Sequence, residues 1–265
     1  MSTAATQQSE PQLRFDAFQK CFVRGDQRVP GLLPLLAARF YPHYSYTKAK
    51  FNRQHSDVTE YQQRQAKKKK HARAIGVDIG MLLDKQISAT VDVFKHFPNA
   101  PLRTFWDREF LCAALLPPWA KQVCKDVMPQ TRAFWKALDA LKLRPVDTQV
   151  AVEHQHKGRH YATAVDVGCI NKAGEYILVE CKSGFTGYYK CCTAKMMSAP
   201  LQCQTDSLAN QHQIQLAATK EMYQRTFPDR VVGECVILHV EGTKVSRYSL
   251  KPWATRVRSW AELLF

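Results

Sequence analysis

The sequence predicts an α/β fold in which a mixed central sheet is flanked by helices. Two apolar, β-branched runs flank Asn171-Lys172-Ala173-Gly174, the pattern of a β-hairpin closed by a short loop containing Gly. Helical periodicity precedes and follows that hairpin, so the order reads helix, three strands, helix, strand. At 265 residues and 45% hydrophobic, the chain can bury a substantial core.

Residues 1–12 are polar and read as a disordered tail, which leaves 13–265 as one domain. Within it, 13–100 reads as an N-terminal helical and basic elaboration and 101–265 as the core. Ala38 to Arg53 interleaves Phe40, Tyr41, Tyr44, Tyr46 and Phe51 with Arg39, His43, Lys48, Lys50 and Arg53. Aromatic faces between cations can stack bases and hold phosphates; the alternative is a loop whose aromatics pack onto the core. Lys67, Lys68, Lys69, Lys70 and Arg73 end a polar, helix-like stretch from Thr59. They read as phosphate contacts, a nuclear localisation signal or a solvated basic face.

From Gly76 to Phe94, Ile79, Leu82, Leu83, Ile87 and Val91 recur at helical spacing, with Asp84 on or beside the apolar stripe. Phe105–Leu116 and Thr131–Leu143 read as further amphipathic helices, separated by Pro117-Pro118 and a second break around Pro129. Glu109 in the first is either another helix-borne acid near a site or the partner of Arg108 or Arg103. Thr148 to His154 is a strand with Val150 and Val152 on one face, from which Glu153 could approach the hairpin's acids. Asp206 to Tyr223 reads as a helix without Gly or Pro, with Asp206 as N-cap. Val231–Val240 and Lys244–Leu250 form a final hairpin around Glu241-Gly242-Thr243.

Three charged residues interrupt the central hairpin: Asp166 on its first strand, Glu180 and Lys182 on its second. Side chains alternate across a strand, so Glu180 and Lys182 share a face with Leu178 and Tyr176, roughly 7 Å apart. A neighbouring strand about 5 Å away can bring Asp166 beside them. An apolar strand keeps such groups only where they are paired or hold a cation, because an unpartnered buried carboxylate costs several kcal/mol. A structural Glu-Lys pair at a sheet edge is the plainer alternative. Context favours the cation: Glu180-Cys181-Lys182 is the only [DE]-x-K triplet in the chain, it ends a strand, and an Asp lies 14 residues earlier.

Asp166 followed by Val179-Glu180-Cys181-Lys182 resembles the signature of the PD-(D/E)xK nuclease superfamily, and its surroundings resemble the RecB and lambda-exonuclease (YqaJ-like) branch. Gln215-Leu216-Ala217-Ala218 is similar to the start of that branch's Q-x-x-x-Y helix motif, with Thr219 at the Tyr position. Gly80 to Asp84 falls where the branch has G-x-x-x-H, with Asp84 in place of the metal-binding His. The resemblance covers about residues 75 to 250. It implies a restriction-endonuclease-like αβββαβ core and Mg²⁺-dependent hydrolysis of DNA, with Mn²⁺ substituting. By the same likeness Asp166, Glu180, the carbonyl of Cys181 and Asp84 hold the metal, and Lys182 and Gln215 complete the catalytic set. Relatives mostly act on DNA ends in replication, recombination or repair, which points to an exonuclease. A homo-oligomer such as the toroidal trimer of lambda exonuclease would give processivity, and a large DNA virus, a cell and a mobile element all stay open as the source.

Charge and cysteines bound these expectations. With 38 Lys and Arg against 23 Asp and Glu, a net charge of +15 attracts polyanions, DNA or RNA. No apolar run approaches the ~20 residues that span a bilayer. The polar N-terminus, without an apolar h-region, points to an intracellular protein of the nucleus or cytoplasm, not a secreted one. Nine cysteines then read chiefly as small buried side chains. Cys191, Cys192 and Cys203 with His154, His156 and His160 lack zinc-site spacing, and Cys235 alone after the Gln helix argues against an iron-sulfur cluster. Two other readings stay open: a catalytically inactive nucleic-acid-binding protein on a nuclease scaffold, and an interaction module whose charge serves a protein partner.

Overall fold

The computed structural model of the chain describes residues 13–16, 21–42, 81–183 and 195–265. Two sheets organise them. Strands β1 (Leu13–Asp16), β2 (Cys21–Arg24) and β3 (Gln27–Val29) form an antiparallel three-stranded sheet, followed by helix α1 (Leu32–Phe40). Helix α2 occupies 81–96, and a 3₁₀ turn at Leu102–Phe105 leads to α3 (Arg108–Ala113), α4 (Pro118–Lys125) and α5 (Pro129–Ala140). The main sheet takes β4 (Arg144–His156), β5 (Arg159–Ile170), β6 (Tyr176–Ser183), β7 (Val232–Glu241) and β8 (Lys244–Ser249) in that spatial order. Helix α6 (Leu208–Thr226) links β6 to β7, and the short helices α7 (Pro252–Thr255) and α8 (Trp260–Leu264) follow β8. Among the described residues of the main sheet, only β6 and β7 pair in parallel. A parallel pair needs a crossover connection, and α6 is part of it. The protein is thus mixed α/β, with a five-stranded mixed sheet and flanking helices.

Alternation along β6 divides the core in two. Tyr176 and Leu178 meet α6, α1 and α8 through Leu36, Phe40, Ile214, Tyr223 and Trp260. Ile177, Val179 and Cys181 meet α2 and α5 through Ile87, Val91, Phe134, Trp135 and Leu138. The second layer is centred on aromatics, with Phe94 and Phe105 rings 4.1 Å apart and Trp135 beside both. Each such side chain removed from water contributes about 1.5–3 kcal/mol, so the sheet is clamped from both faces.

Several boundaries differ from those the sequence predicts. Residues 13–29 contain strands where a helical elaboration was expected: Phe22 and Val29 pack on Ala162 of β5, an anchoring that residue pattern alone does not reveal. Pro118 and Pro129 start α4 and α5 rather than merely breaking helices, because proline's missing N–H is harmless in the first turn. Asp107 accepts from the N–H groups of Glu109 and Phe110, so the helix expected from Phe105 begins at Arg108. Ser207, not Asp206, caps α6: its hydroxyl accepts from Asn210 N, while Asp206 accepts from the Gln211 side chain. The first strand of the main sheet is longer than predicted, running from Arg144. The N-terminal tail, the basic run at 67–73 and the aromatic-basic segment beyond residue 42 lie outside the described residues. Of that segment's aromatics, Phe40 and Tyr41 are buried core. No helix among the described residues is long and apolar enough to cross a membrane.

Candidate active site

The site is built where the two inner strands run out of purely apolar residues. Antiparallel register sets Val167 opposite Val179, which brings the next residue, Asp166, alongside Glu180. Asp166 Oδ2 accepts a 2.9 Å hydrogen bond from Cys181 N, and its main-chain carbonyl accepts one from Thr148 Oγ1 at 3.0 Å. The carboxylate is therefore held by a backbone N–H of β6, and the residue's own main chain by a hydroxyl of β4. Glu180 is 1% exposed. Its Oε1 accepts from Lys182 Nζ in a close ion pair and from Gln215 Nε2 of α6 at 2.7 Å. The Gln215 contact confirms that Glu180 and Lys182 face α6, the side alternation assigns them. On β7, Ile237 lies beside Glu180 and His239 beside Lys182.

Like charges crowd this spot. The Asp166 carboxyl is pushed well above the usual carboxylate range, first by burial and then by Glu180 and Asp84, against the opposing pull of Lys182 and the Cys181 N–H. Asp84, on α2, is pushed up to about 6 by the protein around it and by Glu180, while Lys182 pulls it down. Asp84 has an exposed outer surface, so water moderates that desolvation and the residue stands at the rim. Burial would discharge Lys182, but Glu180 and Asp166 outweigh it and hold the ammonium above its ordinary value. Among the described residues, three acids thus share one internal cation, an imbalance that a hard divalent ion with oxygen ligands would relieve. Among the described residues, no three His, Cys, Asp or Glu side chains stand close enough to enclose an ion as placed. The cation in contact with Glu180 is Lys182 itself. The donor chemistry fits Mg²⁺, and admitting it requires Glu180 to share or exchange its Lys182 contact.

Other sequence candidates fall elsewhere. Glu153 sits far along the β4–β5 ribbon, opposite Ala162, and pairs with Arg24 and with His160 Nδ1 at 2.7 Å. Alternation fixed its face but not its distance from Asp166; it ties the small sheet to the large one. Glu109 is exposed in the first turn of α3, and Arg103 pairs with Asp107 at 2.8 Å instead. Thr219, at the motif's Tyr position, is buried with its hydroxyl 3.4 Å from that of Thr163. Cys203 is exposed, His154 lies 3.3 Å from Arg225, and Cys191 and Cys192 lie outside the described residues. Lys48, Lys50, Arg53, Lys67, Lys68, Lys69, Lys70 and Arg73 also lie outside them.

Two further residues stand at the site that no motif in the sequence marks, His212 and His239. The signal for His239 was a lone polar residue in the apolar run Val236-Ile237-Leu238-His239-Val240. For His212 it was the three-residue spacing to Gln215, which puts both on one helix face. Burial, followed by the charges of Lys182 and His239, pushes His212 well below the usual histidine range.

No family model matches the chain, and no curated protein matches it. Among solved structures it is similar to the crystal structure of SSO0001, at 14% identity over 65% of this chain and 77% of that one. The TM-score of 0.27 is too low for that likeness to bear on fold or activity.

Proposed function

We propose that the chain is a metal-dependent nuclease that hydrolyses DNA phosphodiester bonds, acting as an exonuclease on DNA ends in replication, recombination or repair. The observation that carries this reading is the meeting of Asp166, fixed by Cys181 N, with the buried Glu180 and its half-buried partner Lys182. Asp166 and Glu180, with the Cys181 carbonyl and Asp84, are the groups that would hold Mg²⁺ or Mn²⁺. Bound there, such an ion lowers the pKa of water and offsets charge on the scissile phosphate. Lys182 supplies a fixed positive charge within a low-dielectric site, where stabilising a charged transition state is worth more than in water. Gln215 restrains the Glu180 carboxylate by its 2.7 Å hydrogen bond, so the glutamine acts through the acid rather than directly on phosphate.

A second reading has an observation in its favour. Glu180 Oε1 is already satisfied by Lys182 and Gln215, as in a closed structural pair, which suits a nucleic-acid-binding protein without catalysis. End-labelled linear and closed circular DNA, single and double stranded, separates the two when incubated with wild type and Asp166→Ala in Mg²⁺, Mn²⁺ or EDTA. Metal-dependent loss of linear DNA, sparing circles and abolished in Asp166→Ala, is expected of the exonuclease. Salt-sensitive binding by both proteins without cleavage would select the binding protein.

A further inference from the structure

Helix α6 lies antiparallel over β6, and two contacts fix the alignment. Near its C-terminal end, Tyr223 stacks on Tyr176 with ring centroids 4.9 Å apart. Two turns earlier, Gln215 donates to Glu180. One helical turn is about 5.4 Å and two strand residues span nearly 7 Å, so the turn before Gln215 overlies the next residue on that strand face. That residue is Lys182, with His239 level with it on β7, and the α6 residue is His212. The electrostatic reach of both Lys182 and His239 to His212 agrees with this placement.

From this ladder we infer that His212 is a positioning residue for Lys182, walling its side chain with His239 so that the ammonium stays directed at Glu180 and Asp166. This inference rests on the nuclease reading for its catalytic consequence, but not for its structural one. A lysine side chain carries large rotamer entropy, and an ammonium held at one spot serves a transition state better than one free to swing into solvent. Lys182 keeps 22% of its side chain exposed, so an escape route exists and the wall has something to prevent.

A double-substitution cycle tests it. His212→Phe fills the volume without a polar edge, His212→Gln keeps one, and each is combined with Lys182→Ala. With labelled linear DNA and Mn²⁺, His212→Phe is expected to lower kcat about tenfold with KM unchanged, and His212→Gln to recover part of the rate. In the Lys182→Ala background the residual rate should not respond to residue 212, the non-additivity expected of coupled neighbours. Wild type, His212→Phe, Lys182→Ala and the His212→Phe/Lys182→Ala double variant are also unfolded in urea without metal, where the stability changes of the two single variants should likewise fail to add. Independent effects in both cycles, or a His212→Phe enzyme with wild-type kcat, would overturn the inference. Should wild type cut nothing with either metal, the nuclease reading falls, while the urea cycle still decides whether His212 holds Lys182.

Discussion

At the residue scale, the site trades stability for charge. Asp166 is buried and then crowded by Glu180 and Asp84, so its ionised form is disfavoured in the metal-free protein. Asp166→Asn keeps an oxygen for the Cys181 N–H and removes one of the competing charges. Thermal or urea unfolding without metal should therefore show it more stable than wild type, by on the order of 1 kcal/mol, while cleavage is lost. A variant less stable than wild type would mean the acid is held as a structural partner. Gly168 illustrates the opposite constraint. A Cβ there would come 1.6 Å from Tyr176 Oη, the hydroxyl that donates to Asp147 at 3.0 Å. Gly168→Ala must displace the Tyr176 ring from Tyr223 and should cost about 2–3 kcal/mol in urea unfolding. The sequence disclosed Asp166, Glu180 and Lys182 because a strand's period of two and a four-residue turn dictate which side chains meet. It did not disclose the hydrogen bond from Gln215 to Glu180, which depends on how far α6 slides along the sheet.

At the element scale, caps and end charges decide where helices begin, and they are partly legible. Asp107 falls inside the helix that periodicity predicts from Phe105, yet it caps α3 at Arg108 while pairing with Arg103 four residues earlier. The Arg103 hydrogen bond first, then the N–H groups of Phe110 and Glu109, hold Asp107 below the usual carboxylate range. Because the folded value is the lower one, the unfolded chain binds the proton more tightly. The cap's contribution is then complete above about pH 4 and is lost as pH falls through the folded value. The melting temperature gap between wild type and Asp107→Ala should accordingly be constant near neutrality and narrow as pH falls below the ordinary carboxylate range. At the other face, Ser207→Ala removes the acceptor for Asn210 N and should cost about 1 kcal/mol in unfolding measurements. Strands β1 to β3 escaped notice because each has four residues or fewer, and short apolar runs carry no clear period.

At the scale of the whole molecule, net charge sets how the protein meets a polyanion. Residues 43–80 hold nine Lys and Arg against three Asp and Glu, so that segment contributes six of the fifteen net positive charges. If DNA is the partner, each phosphate neutralised releases counterions, and the logarithm of affinity falls against that of salt with a slope near −0.9 per contact. Replacing Lys67, Lys68, Lys69, Lys70 and Arg73 together with Gln should then flatten the slope by as much as about 4, read by fluorescence anisotropy on labelled DNA across salt concentrations. Asp166→Asn, measured alongside without metal, should leave the slope unchanged, because the carboxylate contributes no phosphate contact. An unaltered slope in the five-residue variant would move the DNA path to the remaining charges, with Lys48, Lys50 and Arg53 the next to replace. This separation of binding from chemistry is what the nuclease reading requires of a basic composition with a compact acidic centre: attraction spread over many side chains, and the proposed hydrolysis dependent on three or four.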